Sequence, residues 1–437
     1  MGSAFRIDCD WVEQAGWATA DRHFLAEMTI QARRVSVAAL ADADTRMYRS
    51  GMLVSAYDLA AWFVANWWRL RWETFGEGLS WEMSHRMGAA GNGFLWPDLE
   101  IVGGDSTVLV RARPISFGLT SSVRFLNGVD VHVPATEFEA AVRGLAETVA
   151  ARLESWSGEA SEELRPFLSA WRELGREIDD ADLSFARAIE AGKGLDPEEA
   201  DPAMLDRLGQ ASQEVGRGPI AELVAASKGE ALNDYGSLWP GVRKRSRTMR
   251  LQIGPETRDE AARLRRPNLA PWKRGVALAA VACREWSIVD GAVDNRVLSD
   301  MCGVSKTWID ADPCEGFPIP AGFRSRDEAG TLAASLKKRH PTGRRFALVR
   351  IIGDHLLAGP DERLLPVTDA ATDRQKFQRA VGQAFLRPID ALRDHLGSRN
   401  PDDDWIEDMA RHFNVSSWLV RAALINHGVL SPDLLGA

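Results

Sequence analysis

The chain has few cysteines, no lysine in its first 192 residues and no long apolar run. Each shortage narrows what it can be. The four cysteines (Cys9, Cys283, Cys302 and Cys314) are scattered and include no C-x-x-C pair. That spacing argues against a disulfide framework, and a reduced, cytoplasmic protein is expected. No stretch approaches the roughly 18 apolar residues that span a bilayer. The amino terminus also lacks a basic region followed by an apolar one, so neither a membrane partner nor a secretory leader is expected. Gly88-Ala89-Ala90-Gly91-Asn92-Gly93 lacks the Lys-Ser/Thr that completes a phosphate-binding loop. No fixed-period repeat runs through the chain, and no Ser-His-Asp or Cys-His set can be assembled from it. The preference for arginine over lysine reads as the codon bias of a GC-rich bacterial genome.

What is present is ordinary for a globular protein: 437 residues, 45% hydrophobic and 26% charged. That length predicts two or three domains, each with its own core. Charge is unevenly spread. Residues 1–150 carry 13 Arg against 18 acids, and residues 151–242 carry 9 basic against 19 acidic residues. Residues 243–274 reverse the sign, with 11 basic against 3 acidic residues. A reversal this sharp marks a boundary, a partner patch or a nucleic-acid patch.

The pattern predicts an α+β fold in four stretches. Residues 1–134 read as antiparallel hairpins around a tryptophan-rich helix. Apolar alternation at Met28–Ala39 and Met47–Ala56 suggests one hairpin. Leu59, Trp62, Phe63, Asn66, Trp67, Leu70 and Arg71 fall at helical spacing. Strands are expected at Leu99–Val102, Thr107–Arg113, Ser122–Leu126 and Val129–Val133, separated by glycine turns. Trp67 and Trp68 are neighbours on a helix and point about 100° apart, so one of them is expected to meet another domain or a partner. Residues 135–236 read as acidic helices, with Asp196-Pro197 opening one of them. Residues 237–270 form a basic connector, and residues 271–437 a mainly helical domain.

Three blocks in that last domain carry the sharpest signal. Trp272–Ser305 holds Gly275, Leu278, Ala279 and Arg284 and closes on Leu298-x-x-Met301-x-Gly303-Val304. Arg344–Leu357 reads RRFALVRIIGDHLL, and Gln375–Pro388 reads QKFQRAVGQAFLRP. Together with Met409-Ala410-x-x-Phe413-x-Val415-Ser416, their order and spacing resemble the ImmA/IrrE family of zinc metallopeptidases over about 170 residues. The resemblance implies a zincin-like domain whose zinc helix carries His-Glu-x-x-His, with a glutamate on the later helix as third ligand. On that frame Arg350 stands at the first His, Ile351 at the Glu and Asp354 at the second His. Gln375 and Phe377 lie in the third-ligand window, where no carboxylate occurs between Asp373 and Asp390. A guanidinium has no lone pair to give a metal. Losing the base alone costs roughly 10²–10⁴ in rate, and losing the ligands removes the Lewis acid. The expectation is a non-catalytic protein without metal or cofactor that binds a protein partner, its substrate groove kept as a cleft. By resemblance, stress response, phage defence or mobile-element control is its setting. Arg350 and Asp354, four residues apart on one helix face, are expected to pair in place of the ion.

Other residues weigh less. Asp354, His355 and Asp373 are the candidates for a non-standard ligand set in an active peptidase. Glu82-x-x-His85 is half of a carboxylate-bridged metal site, and such sites need two halves. Arg243, Lys244, Arg245, Arg247, Arg265 and Arg266 form the candidate nucleic-acid patch, without the interleaved aromatics of single-strand binders. The carboxy-terminal helical pair resembles a helix-turn-helix, but its first helix is acidic and phosphates would repel it.

Overall fold

A computed structural model describes residues 3–13, 23–114, 122–156, 161–227, 247–266, 269–288, 291–310, 319–325 and 330–431. The chain divides into two compact units, Met1–Leu205 and Asp206–Ala437. The division falls inside the stretch expected to be uniformly helical, and the second unit begins well before residue 271.

The first unit is α+β with antiparallel sheets. Strands β1 (Phe5–Trp11), β2 (Leu25–Ala32) and β3 (Val35–Ser36) are consecutive neighbours, and β6 (Met52–Ser55) pairs with β2 as well. β4 (Leu40–Asp42) lies between β5 (Met47–Arg49) and β9 (Val123–Phe125), and β8 (Thr107–Arg113) between β7 (Asp98–Gly103) and β10 (Val129–Pro134). The expected hairpin is thus shared between two sheets. Met28 does face Met52 across β2–β6, while the Asp42 carboxylate closes the β4–β5 turn by accepting from the Asp44 and Thr45 amides.

The tryptophan helix is two helices, α1 (Ala56–Ala65) and α2 (Trp67–Trp72). Asn66 breaks it: its side-chain amide donates to the Trp62 carbonyl at 2.8 Å, and its own backbone sits at φ −106°, ψ 10°. Asparagine competes with the helix ladder in this way. Trp67 and Trp68 are both buried, at 5% exposure each, so neither is left over for a partner. The reason is that α2 is covered on two sides, by β7 and by α4 (Ala181–Gly192). The Trp68 indole also donates to Glu177 at 2.9 Å on α3 (Pro166–Asp179). Asp196-Pro197 opens a turn instead of a helix. Glu198 there has φ +72°, a left-handed conformation that ends helical propagation, and the next helix, α5 (Pro202–Val215), begins at a second Asp-Pro.

The second unit packs helices on a four-stranded antiparallel sheet. Its strands are β11 (Arg247–Arg250), β12 (Ala321–Arg324), β13 (Thr331–Ser335) and β14 (Leu364–Pro366), in the order β11-β13-β12-β14. α6 (Arg217–Ser227) packs on β14. α7 (Pro255–Leu264), α8 (Pro271–Glu285), α9 (Asn295–Cys302), α10 (Pro341–Leu357) and α11 (Asp373–Leu386) surround the core. α12 (Ile389–Leu396), α13 (Asp403–Phe413) and α14 (Ser417–Asn426) follow. The last two are joined through left-handed Asn414.

Glycines set the spacing of the central helices. A Cβ built on Gly275 of α8 would lie 2.7 Å from the Ala380 Cβ and from the Phe377 carbonyl oxygen of α11. Gly275→Ala should therefore destabilise by about 1–3 kcal/mol through overpacking, despite its better helix propensity. Gly144→Ala is the control. It lies exposed in the helix Ala135–Ser155, its Cβ would meet nothing within 4 Å, and it should stabilise by about 0.5–1 kcal/mol. Denaturant midpoints that moved the same way for both would refute this reading of helix contact.

Candidate functional site: a buried polar cluster

α10 starts with Pro341 in its first turn and stops at Ala358, whose ψ of 141° leaves the helix. Residues from Arg344 to Asp354 are buried on nearly every face, the mark of a core helix. Three of them are arginines, and each donates to oxygen atoms, although the Nε of Arg345 and of Arg350 is buried without a partner. Arg344 donates to the carbonyls of Ile309, Lys338, Arg339 and Asp310 at 2.8–3.1 Å. Arg345 reaches Asn295 and the Val293 carbonyl. Arg350 reaches the Thr368 carbonyl and the side-chain oxygen of Gln375.

The Arg350–Gln375 bond brings the residue expected at the first His position and one from the expected third-ligand window to one spot between α10 and α11. Arg350 and Asp354 do not pair there. The Asp354 carboxylate instead accepts from Arg374 of α11, with Nε at 2.9 and 3.0 Å and Nη2 at 2.8 Å. Arg374 also meets Glu362 at 3.1 Å. The physical reason is geometric: Arg374 presents its fork face-on to the carboxylate, a two-point fit that the i, i+4 arginine does not make. The helices are therefore bridged by an ion pair, but its cation lies one residue before the expected window.

The remaining positions are committed too. Gln375 accepts from the Thr368 amide, and both Gln375 and Gln378 donate to the Pro366 carbonyl at 3.0 Å. Asp373 faces Lys376 at 3.9 Å rather than Asp354. Ile351 lies against Gly322 of β12, and Phe377 lies in the apolar core with the Arg274 guanidinium 6.0 Å from its ring. Among the described residues no three His, Cys, Asp or Glu side chains converge to hold a metal ion. Asp354, His355 and Asp373 are thus not brought together as a ligand set.

One member of the cluster comes from far away in sequence. Glu222 of α6 accepts from the Thr368 hydroxyl at 2.7 Å and the Thr372 hydroxyl at 2.6 Å. Glu222, Arg350, Asp354, Gln375 and Gln378 are each no more than 4% exposed, so these side chains do not line an open cleft. Burial pushes the Asp354 carboxyl up to about 6 against the pull of Arg374. Glu222 is raised by burial, opposed by its two threonine partners. Arg350 is lowered to about 10 by burial, whereas Arg374 is raised because Asp354 and Glu362 outweigh its own burial. His355, next to the cluster, is lowered to about 4 by burial and by Arg324.

The other candidates lie apart. Arg243, Lys244 and Arg245 fall outside the described residues. Arg247, Arg265 and Arg266 are exposed, and Arg265 spends one donor on the Leu356 carbonyl. His85 is fully buried, with one ring nitrogen 2.7 Å from the Ile101 carbonyl and the other 3.0 Å from Glu73. Glu82 is exposed, so it does not share the buried surroundings of His85. Glu222 escaped sequence reasoning, although an acid among Ile220, Leu223 and Val224 is the pattern of a buried carboxylate.

The fold and the cluster define a two-unit α+β protein whose second unit is sealed around a charged core. No family model, curated protein or solved structure matches the chain.

Proposed function

We propose that this chain is a non-catalytic regulatory or interaction protein built on a zincin-like domain that has lost its metal site. Bacterial stress response, phage defence or mobile-element control is the setting that its motifs imply. One observation carries the reading. The groups at the would-be ligand positions spend their donors and acceptors on Arg374, Thr368 and Pro366, leaving no set of lone pairs directed at a common centre. An interaction role is supported by apolar surface on the second unit: Trp272 and Val276, one turn apart on α8, are 42% and 47% exposed, and Trp418 on α14 is 58% exposed. Large aromatics at a surface are the usual anchors of protein contacts.

Metal analysis of protein grown with added zinc tests the proposal, together with a peptide-cleavage assay with and without chelator. The expected outcome is substoichiometric zinc and no chelator-sensitive cleavage. About one zinc per chain, lost on Asp354→Asn or His355→Ala along with peptidase activity, would establish the active-peptidase alternative instead.

A further inference from the structure

Away from the cluster, two imidazoles meet on the surface of the second unit. His395 on α12 and His412 on α13 have ring centres 4.7 Å apart with planes tilted by 48°, and both residues are exposed. The His395 Nδ1 lies 2.8 Å from the Ala391 carbonyl. A carbonyl only accepts, so Nδ1 carries the proton, and the neutral ring presents Nε2 with its lone pair free of that bond. A backbone carbonyl fixing the far nitrogen is the support that metal-binding histidines use.

The spacing fits as well. With metal–nitrogen bonds of about 2.0–2.1 Å, two imidazoles held side by side on one ion place their centres roughly 4.5–5 Å apart. The Phe413 ring stands near-perpendicular to both, 4.8 Å from His412 and 5.8 Å from His395, and limits how far either can swing. The helices are anchored beneath the pair by Leu392, Leu396, Ile406 and Ala410. Arg411, beside His412, is neutralised by Asp408 at 2.9 Å.

We propose that His395 and His412 form a two-imidazole site for a late first-row divalent cation, with Cu²⁺ bound most tightly. Among the described residues no third His, Cys, Asp or Glu joins them, so water completes the coordination and the ion exchanges. Bound there, it bridges α12 to α13 and stabilises the helical end of the unit by mass action.

The test adds equimolar Cu²⁺ alone to the metal-free full-length protein, read by calorimetry and electron paramagnetic resonance. One ion per chain with a two-nitrogen signature is expected. His395→Gln and His412→Gln should each weaken binding at least tenfold, whereas His427→Gln leaves it unchanged. Paramagnetic broadening of histidine ring protons in the unaltered protein gives a second reading, independent of any variant, in which the His395 and His412 signals should vanish first. Equal binding by both Gln variants, a one-nitrogen spectrum, or broadening centred on other histidines would overturn the assignment.

Discussion

Arg374→Met should cost the second unit about 3–5 kcal/mol, because removing one partner of a buried ion pair strands the other. Asp354 would lose the guanidinium it pairs with at 2.8 Å, Glu362 would lose a partner at 3.1 Å, and Glu222 would lose a compensating positive charge. Asp354→Asn should cost less, since a neutral amide tolerates burial better than an uncompensated carboxylate. The double variant should be less destabilised than the sum of the two singles, by about 1–3 kcal/mol of coupling. Urea unfolding of the full chain, followed through the second unit's transition, measures all three. An Arg374→Met variant within about 0.5 kcal/mol of the parent would mean that this pair is energetically idle.

His355 is expected to make the protein sensitive to acid. Its folded-state pKa is lowered to about 4, so the unfolded chain binds the proton first as pH falls. Stability assignable to the neutral ring is therefore complete above the unfolded value of about 6.5 and is lost on the way down to pH 4, amounting to about 3 kcal/mol. Asp354 works in the opposite direction. Its raised pKa means the native state holds that proton longer, so its contribution falls as pH rises from about 4 to about 6. The two slopes oppose each other in the parent protein and separate only by substitution. His355→Gln should narrow its stability gap to the parent, or become the more stable of the two, by about 3 kcal/mol between pH 7 and pH 4. A pH-independent gap would show that the ring titrates normally.

Much of the fold could be read from periodicity. β7 and β8 and the apolar stripe Phe138, Val142, Leu145, Val149 and Leu153 lie where alternation and helical spacing put them. The misses came where a side chain overrode the local pattern. Asn66 capped a helix that hydrophobic spacing would have continued, and left-handed Glu198 stopped one that Asp-Pro would have started. At the candidate site, helical spacing put Arg350 and Asp354 one turn apart on α10, and the structure brings Arg350 to Gln375. Which cation meets Asp354 depended on side-chain rotamers and on how closely α10 and α11 approach, where a Cβ on Gly353 would lie 2.9 Å from Val381, and neither is written in linear spacing. Glu222 lay beyond reach because its partners are 146 and 150 residues away.

That separation bears on how the protein is born. At roughly 5–20 residues per second, a ribosome needs about 7–30 s to go from the acid on α6 to the threonine that receives it. Throughout that interval the carboxylate has neither of the threonine hydroxyls that donate to it in the finished fold. The seal around the charged core is therefore among the last events of maturation, since closing so long a loop must precede any reward from the contact.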